Sequence, residues 1–139
     1  MKKGFSLIEI MIVIIILGLL AGLVLPNLLG QSEKAKKGIV CIQMQSIKDA
    51  LKNFKLQNGI YPSTEEGMKA LVSNPDSEKY KSYPDGGFLD GNIPIDPWKN
   101  PYIYVNNDGE IDMISLGADG KEGGSKESAD ISLSTCKKK

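Results

Sequence analysis

Three groups of residues in this 139-residue chain have the types and spacing to do chemistry. Asp119, Glu122, Glu127 and Asp130 fall in one Gly- and Ser-rich stretch, 119–130. A hard cation such as Ca²⁺ takes about six to eight oxygens, and a Gly-rich loop can turn carboxylates and carbonyls inward together. The stretch is no EF-hand: Lys121 and Gly123 occupy ligand positions, and Asp130 replaces the closing Glu. Taken alone it reads as a flexible loop. The second group is Cys41 and Cys136, which form no CxxC pattern and so argue against zinc or thioredoxin-like chemistry. They could pair in an oxidising compartment if the fold brings their Cα atoms within about 4.4–6.8 Å, which spacing alone leaves open. The third is Glu9, a carboxylate inside a run from Phe5 to Leu25 that is apolar but for Ser6, Glu9 and two glycines. An acidic side chain in hydrocarbon costs about 2.5–3.5 kcal/mol on insertion scales, so either a partner offsets that cost or the segment leaves lipid.

The composition narrows the classes. With no histidine the commonest general base and metal ligand is missing, and no nucleophile sits in an elbow or beside a base motif, so the chain is not read as an enzyme. The 17 basic residues, all lysine, balance 17 acidic ones, and no net positive field points to nucleic acid. Lys137 to Lys139 form a solvated tail. Trp98, the single tryptophan, follows Pro97 and reads as a core plug rather than a ligand platform.

These residues need elements to hold them. The apolar run of about 21 residues would span about 31 Å as a helix, the thickness of the hydrocarbon layer. Lys2 and Lys3 would stay on the cytoplasmic side, placing everything beyond Pro26 across the membrane. No Ala-x-Ala site follows the run, so an ordinary cleaved secretory signal is a poor fit. Pro26 lies where a helix would bend or end. Beyond it Val40, Met44, Ile47, Leu51 and Phe54 recur at spacings of 4, 3, 4 and 3, one helical stripe. This predicts a helix over 27–57, stopped by Asn58-Gly59, and one long bent helix for the chain up to Gln57. Ser63 or Thr64 then caps a short helix with Glu65 and Glu66 in its first turn and Met68, Leu71 and Val72 on its apolar face. Residues 74–97 read as loop with short extended pieces. Tyr102 to Val105 and Ile111 to Ile114, around Asn106-Asn107-Asp108-Gly109, predict a β-hairpin.

Four motifs carry a family resemblance. Lys3-Gly4-Phe5-Ser6-Leu7-Ile8-Glu9 resembles the class III signal of type IV pilins and type II secretion pseudopilins. Tyr61-Pro62-Ser63-Thr64-Glu65-Glu66-Gly67-Met68-Lys69-Ala70-Leu71-Val72 resembles the YPTTEQGLxALV signature of the major pseudopilins. Pro94-Ile95-Asp96-Pro97-Trp98-Lys99-Asn100-Pro101-Tyr102 is similar to their P-x-DPWGxPY segment, with Lys99 where glycine is usual. Ser115-Leu116-Gly117-Ala118-Asp119-Gly120 is similar to SLGxDG. The four occur in family order along nearly the whole chain.

The resemblance implies an α+β, type IV pilin-like fold. Residues 1–4 would be a leader peptide, 5–26 a transmembrane and filament-core helix, 27–58 an amphipathic stalk helix, and 59–139 a periplasmic head with a C-terminal calcium loop. It implies cleavage between Gly4 and Phe5 by a prepilin peptidase, methylation of the new Phe5 amine, and pairing of Glu9 with the amine of a neighbouring subunit. In the loop it implies one Ca²⁺ held by the Leu116 carbonyl, the Asp119 carboxylate, the Lys121 carbonyl, a Ser128 oxygen and the Asp130 carboxylate. The implied function is the structural major subunit of a periplasmic pseudopilus that drives export of folded proteins across the outer membrane. The chain would start as a single-pass inner-membrane protein and end in a helical homo-oligomer. Minor pseudopilins and an inner-membrane assembly platform are the implied partners. A type IV pilus major pilin is the alternative within the superfamily, but those usually place both cysteines near the C-terminus, whereas Cys41 lies on the stalk helix. A membrane-anchored periplasmic binding module, with a head that works as a monomer, is the alternative outside it.

Overall fold

The computed structural model describes residues 3–137. The first element, α1, is a single helix over Leu7–Asn58, 52 residues. It continues across Pro26, where a proline removes one backbone hydrogen bond, with Leu23, Leu25, Leu28 and Leu29 as the good helix formers on either side. The stop lies one residue beyond the predicted end. Gly59 adopts φ +84°, a left-handed conformation that glycine enters without steric cost. Its N–H donates to the Lys55 carbonyl at 2.7 Å, and the Asn58 side chain donates to the Phe54 carbonyl at 3.0 Å.

The chain divides into two compact units, Met1–Ala35 and Lys36–Lys139. In the first unit the large apolar side chains from Phe5 to Leu25 are exposed, with Phe5 83%, Leu19 68% and Leu23 72%. Water does not hold such a face on a lone helix; lipid or a bundle of like helices does. By length and composition α1 is able to cross a membrane.

In the second unit the predicted stripe is the floor of the core. Val40, Met44, Ile47, Leu51 and Phe54 are all 0% exposed and pack with Ala70, Leu71, Tyr80, Tyr102, Tyr104, Met113 and Leu133. Each large apolar side chain buried this way contributes roughly 1.5–3 kcal/mol. Phe54 anchors an aromatic cluster, with the Tyr80 ring 4.9 Å and the Phe88 ring 5.2 Å from its centroid.

The element after Tyr61 is tighter and shorter than predicted. A turn over 64–66 leads into a 3-10 helix, Gly67–Leu71, that buries Met68, Ala70 and Leu71. Ser63 and Glu66 cap the preceding turn reciprocally: the Ser63 N–H donates to Glu66 Oε2 at 2.8 Å, and the Glu66 N–H to Ser63 Oγ at 3.1 Å. Gly67, at φ +61°, breaks what would otherwise be one α-helix. The loop beyond is fastened by the Leu71 carbonyl, which accepts the N–H groups of Phe88 at 2.7 Å and Leu89 at 3.1 Å.

The hairpin consists of β1, Ile103–Asn107, and β2, Glu110–Ser115, paired antiparallel with Ile103 opposite Ile114 and Asn107 opposite Glu110. Only Asp108 (φ 50°) and Gly109 (φ 92°) form the turn, the left-handed pair that matches strand twist, so the strands run deeper into the Asn-rich cluster than predicted. A third strand, β3 (Ile131–Ser132), pairs antiparallel with β2 to give the order β1-β2-β3. It leads into α2, Leu133–Cys136. Two- and four-residue elements are too short to show a period, and the sequence reading did not contain them.

Candidate assembly segment and C-terminal loop

Glu9 makes its contacts inside its own chain. Its Oε2 accepts the Ser6 N–H at 2.9 Å and the Ser6 hydroxyl at 3.2 Å, while the Glu9 N–H donates to Ser6 Oγ at 3.3 Å. This is a capping box: Ser6 ends the non-helical entry, and Glu9 in the first turn of α1 returns the bond. The S-x-x-E pattern in Ser6-Leu7-Ile8-Glu9 is legible in the sequence, but Glu9 was weighed against lipid and a neighbouring amine and not as a cap. Gly4 and Phe5 lie immediately before this cap, outside the helix and exposed. An amine created at Phe5 would therefore be one residue from the Ser6 N–H that Glu9 accepts.

The entry to the C-terminal loop is built around Asp96, which is 2% exposed. Its Oδ1 accepts the N–H groups of Trp98 at 3.1 Å and Asn100 at 2.7 Å, and its Oδ2 accepts the Ser115 hydroxyl at 2.8 Å. A buried carboxylate with three donors fixes the 96–100 turn and ties it to the end of β2. Lys99, inside that turn, is held at φ +66° with its N–H on the Asp96 carbonyl at 2.9 Å. Trp98 is half-buried against the core, with the Lys36 ammonium 5.9 Å from its ring centroid. The Asn100 side chain donates to the Gly117 carbonyl at 3.4 Å, beside Gly120. Asp96 and Ser115 lie inside two of the family motifs, yet the sequence reading gave them no role, since nothing local shows that they meet.

The loop itself brings some of the expected ligands together and holds others apart. Leu116 and Ser128 are half-buried; Asp119, Lys121 and Asp130 are exposed. Asp119 Oδ1 accepts the Lys121 N–H at 3.1 Å, and Asp130 Oδ2 accepts the Gly123 N–H at 3.0 Å. The carboxylates thus engage separate parts of the loop. A 3-10 turn at Gly117–Asp119 packs against a second one at Lys126–Ser128. A Cβ on Gly124 would lie 2.3 Å from the Ser128 carbonyl oxygen, so the limbs meet backbone to backbone. Among the described residues no three His, Cys, Asp or Glu side chains cluster as a metal site. A cation here must draw on carbonyls beside Asp119 and Asp130, and that all-oxygen donor set suits a hard ion. The Lys37 ammonium donates to the Lys126 carbonyl at 2.9 Å and ties the loop to α1.

Behind the loop the structure joins Cys41 on α1 to Cys136 on α2, with Cα atoms 5.5 Å apart and a sequence separation of 95. On another side of the head, Glu66 Oε1 accepts the Lys79 ammonium at 2.9 Å and Oε2 the Tyr80 hydroxyl at 2.7 Å. Burial pushes the Glu66 carboxyl up, but the Ser63 N–H, Lys79 and Tyr80 together hold it below the usual carboxylate range. Burial raises the hydroxyls of Tyr102 and Tyr104, which donate to Gln43 and to the Pro62 carbonyl.

The chain matches the family model described as type II secretion system (T2SS), protein G over residues 27–134, and the prokaryotic N-terminal methylation motif over 1–25. It is 44% identical to the type II secretion system core protein G of Vibrio cholerae serotype O1, covering 94% of this chain and 90% of that one. It is 45% identical to the core protein G of Pseudomonas aeruginosa, over 94% of this chain and 93% of the relative. Its fold is similar to the crystal structure of the major pseudopilin from the type 2 secretion system of enterohaemorrhagic Escherichia coli. That match has a TM-score of 0.65 and 32% identity, over 79% of this chain and 96% of that one. A capped apolar helix, a stripe-packed head and these matches agree: the chain belongs to the type II secretion system protein G family.

Proposed function

We propose that this chain is the major structural subunit of a pseudopilus, cut between Gly4 and Phe5, methylated at Phe5, and polymerised from the inner membrane into a periplasmic filament. The observation that carries the reading is the helix α1, whose stretch up to Leu25 exposes an apolar surface interrupted by Glu9, while its second part is the floor of a packed head. One half suits lipid or a bundle of like helices, and the other presents a folded body to solvent. Removal of the leader creates an amine beside the Ser6–Glu9 cap. Glu9 then exchanges part of an intrachain cap for a charge pair with a neighbouring amine, and a subunit out of register leaves that carboxylate unpaired in an apolar surrounding. Minor pseudopilins and a membrane assembly platform are the partners in this reading, and filament growth supplies the push on exported proteins.

Asp119, Asp130 and the carbonyls of Leu116 and Lys121, with a Ser128 oxygen, would hold Ca²⁺ in the C-terminal loop. Bound there, the ion would offset the carboxylate charges and stiffen the loop. Mass spectrometry of the protein from cells with a working prepilin peptidase tests the processing. A mass lacking Met1 to Gly4 and carrying one methyl group is expected; retention of the leader refutes the reading. Asp119→Ala should lower the melting temperature in calcium buffer and leave it unchanged in chelator. Equal loss in both would exclude a metal role for that carboxylate.

A further inference from the structure

The last described segment of the head is held by little of its own. β3 pairs with β2 through two residues, Ile131 opposite Ser115 and Ser132 opposite Ile114. Of α2 only Leu133 is buried, at 2% exposure. The Ser132–Thr135 capping box is internal to the segment and fastens it to nothing else. Upstream lies the mostly exposed stretch 118–126, fastened to α1 at its far end by the Lys37 ammonium on the Lys126 carbonyl. Two residue pairs, one buried side chain and the partly buried Ile131 and Cys136 are a small return for ordering six residues and the stretch before them. The covalent bond from Cys136 to Cys41 supplies the rest, because Cys41 lies beside buried Val40 and Met44 on the floor of the core.

We propose that the Cys41–Cys136 disulfide is a redox latch: it holds residues 131–136 on the sheet edge and on α1 whether or not the loop carries a cation. With the latch closed, β3 covers the β2 edge at Ile114 and Ser115 and Leu133 fills the core. With it open, the segment leaves and the β2 edge is unpaired, a template for adventitious strand pairing. Closing forms one S–S bond. The two thiols yield two electrons and two protons to a disulfide oxidant, which departs as a dithiol; a dithiol reductant reverses the step. The time of closing rests on the periplasmic placement proposed above, since that compartment is oxidising; the latch itself does not.

Hydrogen exchange on the full chain in detergent micelles tests this. The oxidised protein, the same protein reduced with dithiothreitol, and the Cys41→Ser/Cys136→Ser variant are compared in chelator and in calcium. In chelator, amides of 131–136 and of Ser115 should exchange at least tenfold faster in both disulfide-free samples, with Leu51 and Phe54 unchanged. Equal exchange at 131–136 with and without the disulfide would overturn the latch. Acceleration that reaches Leu51 and Phe54 equally would overturn it too, since the bond would then be a staple for the whole head. The calcium arm addresses only the loop: if calcium slows exchange in no sample, the cation reading fails, and the comparison in chelator still decides the latch.

Discussion

Replacing Lys99 with glycine should stabilise the head. Lys99 adopts φ +66°, where a residue with a Cβ is crowded by its own carbonyl at a cost of about 1–2 kcal/mol. Its side chain is exposed, and its N–H bond to the Asp96 carbonyl survives the substitution. Glycine removes the strain but adds freedom to the unfolded chain, which takes back about 0.4–1 kcal/mol. The two terms net to about 0–1.6 kcal/mol, centred near 0.8 kcal/mol, which for a head of this size is a rise of roughly 3–6 °C in melting temperature. Thermal melts of the oxidised protein followed by circular dichroism measure it, with Lys99→Ala as the control. Alanine keeps the Cβ and should give no gain. If Lys99→Gly is neutral or harmful, or if alanine stabilises as much, then the backbone conformation is not what the lysine strains. The family's usual glycine at this position has its physical reason in the same turn, which the Asp96 carboxylate imposes whatever residue occupies position 99.

Gly87→Ala should do the opposite. Its φ of +71° is left-handed, and an added Cβ would sit 2.8 Å from the Leu71 carbonyl oxygen, the acceptor that fastens Phe88 and Leu89. A loss of about 2 kcal/mol or more is expected from urea titration, and an unchanged midpoint would refute the packing argument. Glu66→Gln tests the cluster with Lys79 and Tyr80. The Glu66 carboxyl is depressed in the folded state, so its stabilisation is fully present above the unfolded value near 4.5 and is lost as pH falls through the folded one. The variant should be about 1–2 kcal/mol less stable at pH 7, a gap that closes at low pH. A gap that is the same at pH 7 and pH 3 would mean that charge plays no part.

How far the sequence reaches differs by element. The stripe from Val40 to Phe54 was readable because a helix repeats its face locally, and the same five residues are the fully buried floor of the head. The hairpin was readable from Asp108-Gly109 and its β-branched flanks, though the turn proved shorter. The short helix was misjudged because Gly67 carries both a helix-compatible neighbourhood and a left-handed φ, and only the fold selects between them. The Ser6–Glu9 cap was a local pattern overlooked, whereas the meeting of Asp96 with Ser115 was invisible in principle, since it needs two distant segments side by side.

By itself, then, the order of residues determined what local spacing can carry: an apolar helix of membrane length, a capped entry, an amphipathic continuation, turn chemistry and a family signature. Tertiary structure alone decided which distant groups share a site. It brought Cys136 to Cys41 across a sequence separation of 95, closed a two-residue strand over β2, and buried the Asp96 carboxylate among three donors. Helix and hairpin propensities act within a few residues and leave a periodic trace. A disulfide, an edge strand or a buried carboxylate depends on where the packed core places its ends, and no local pattern records that placement.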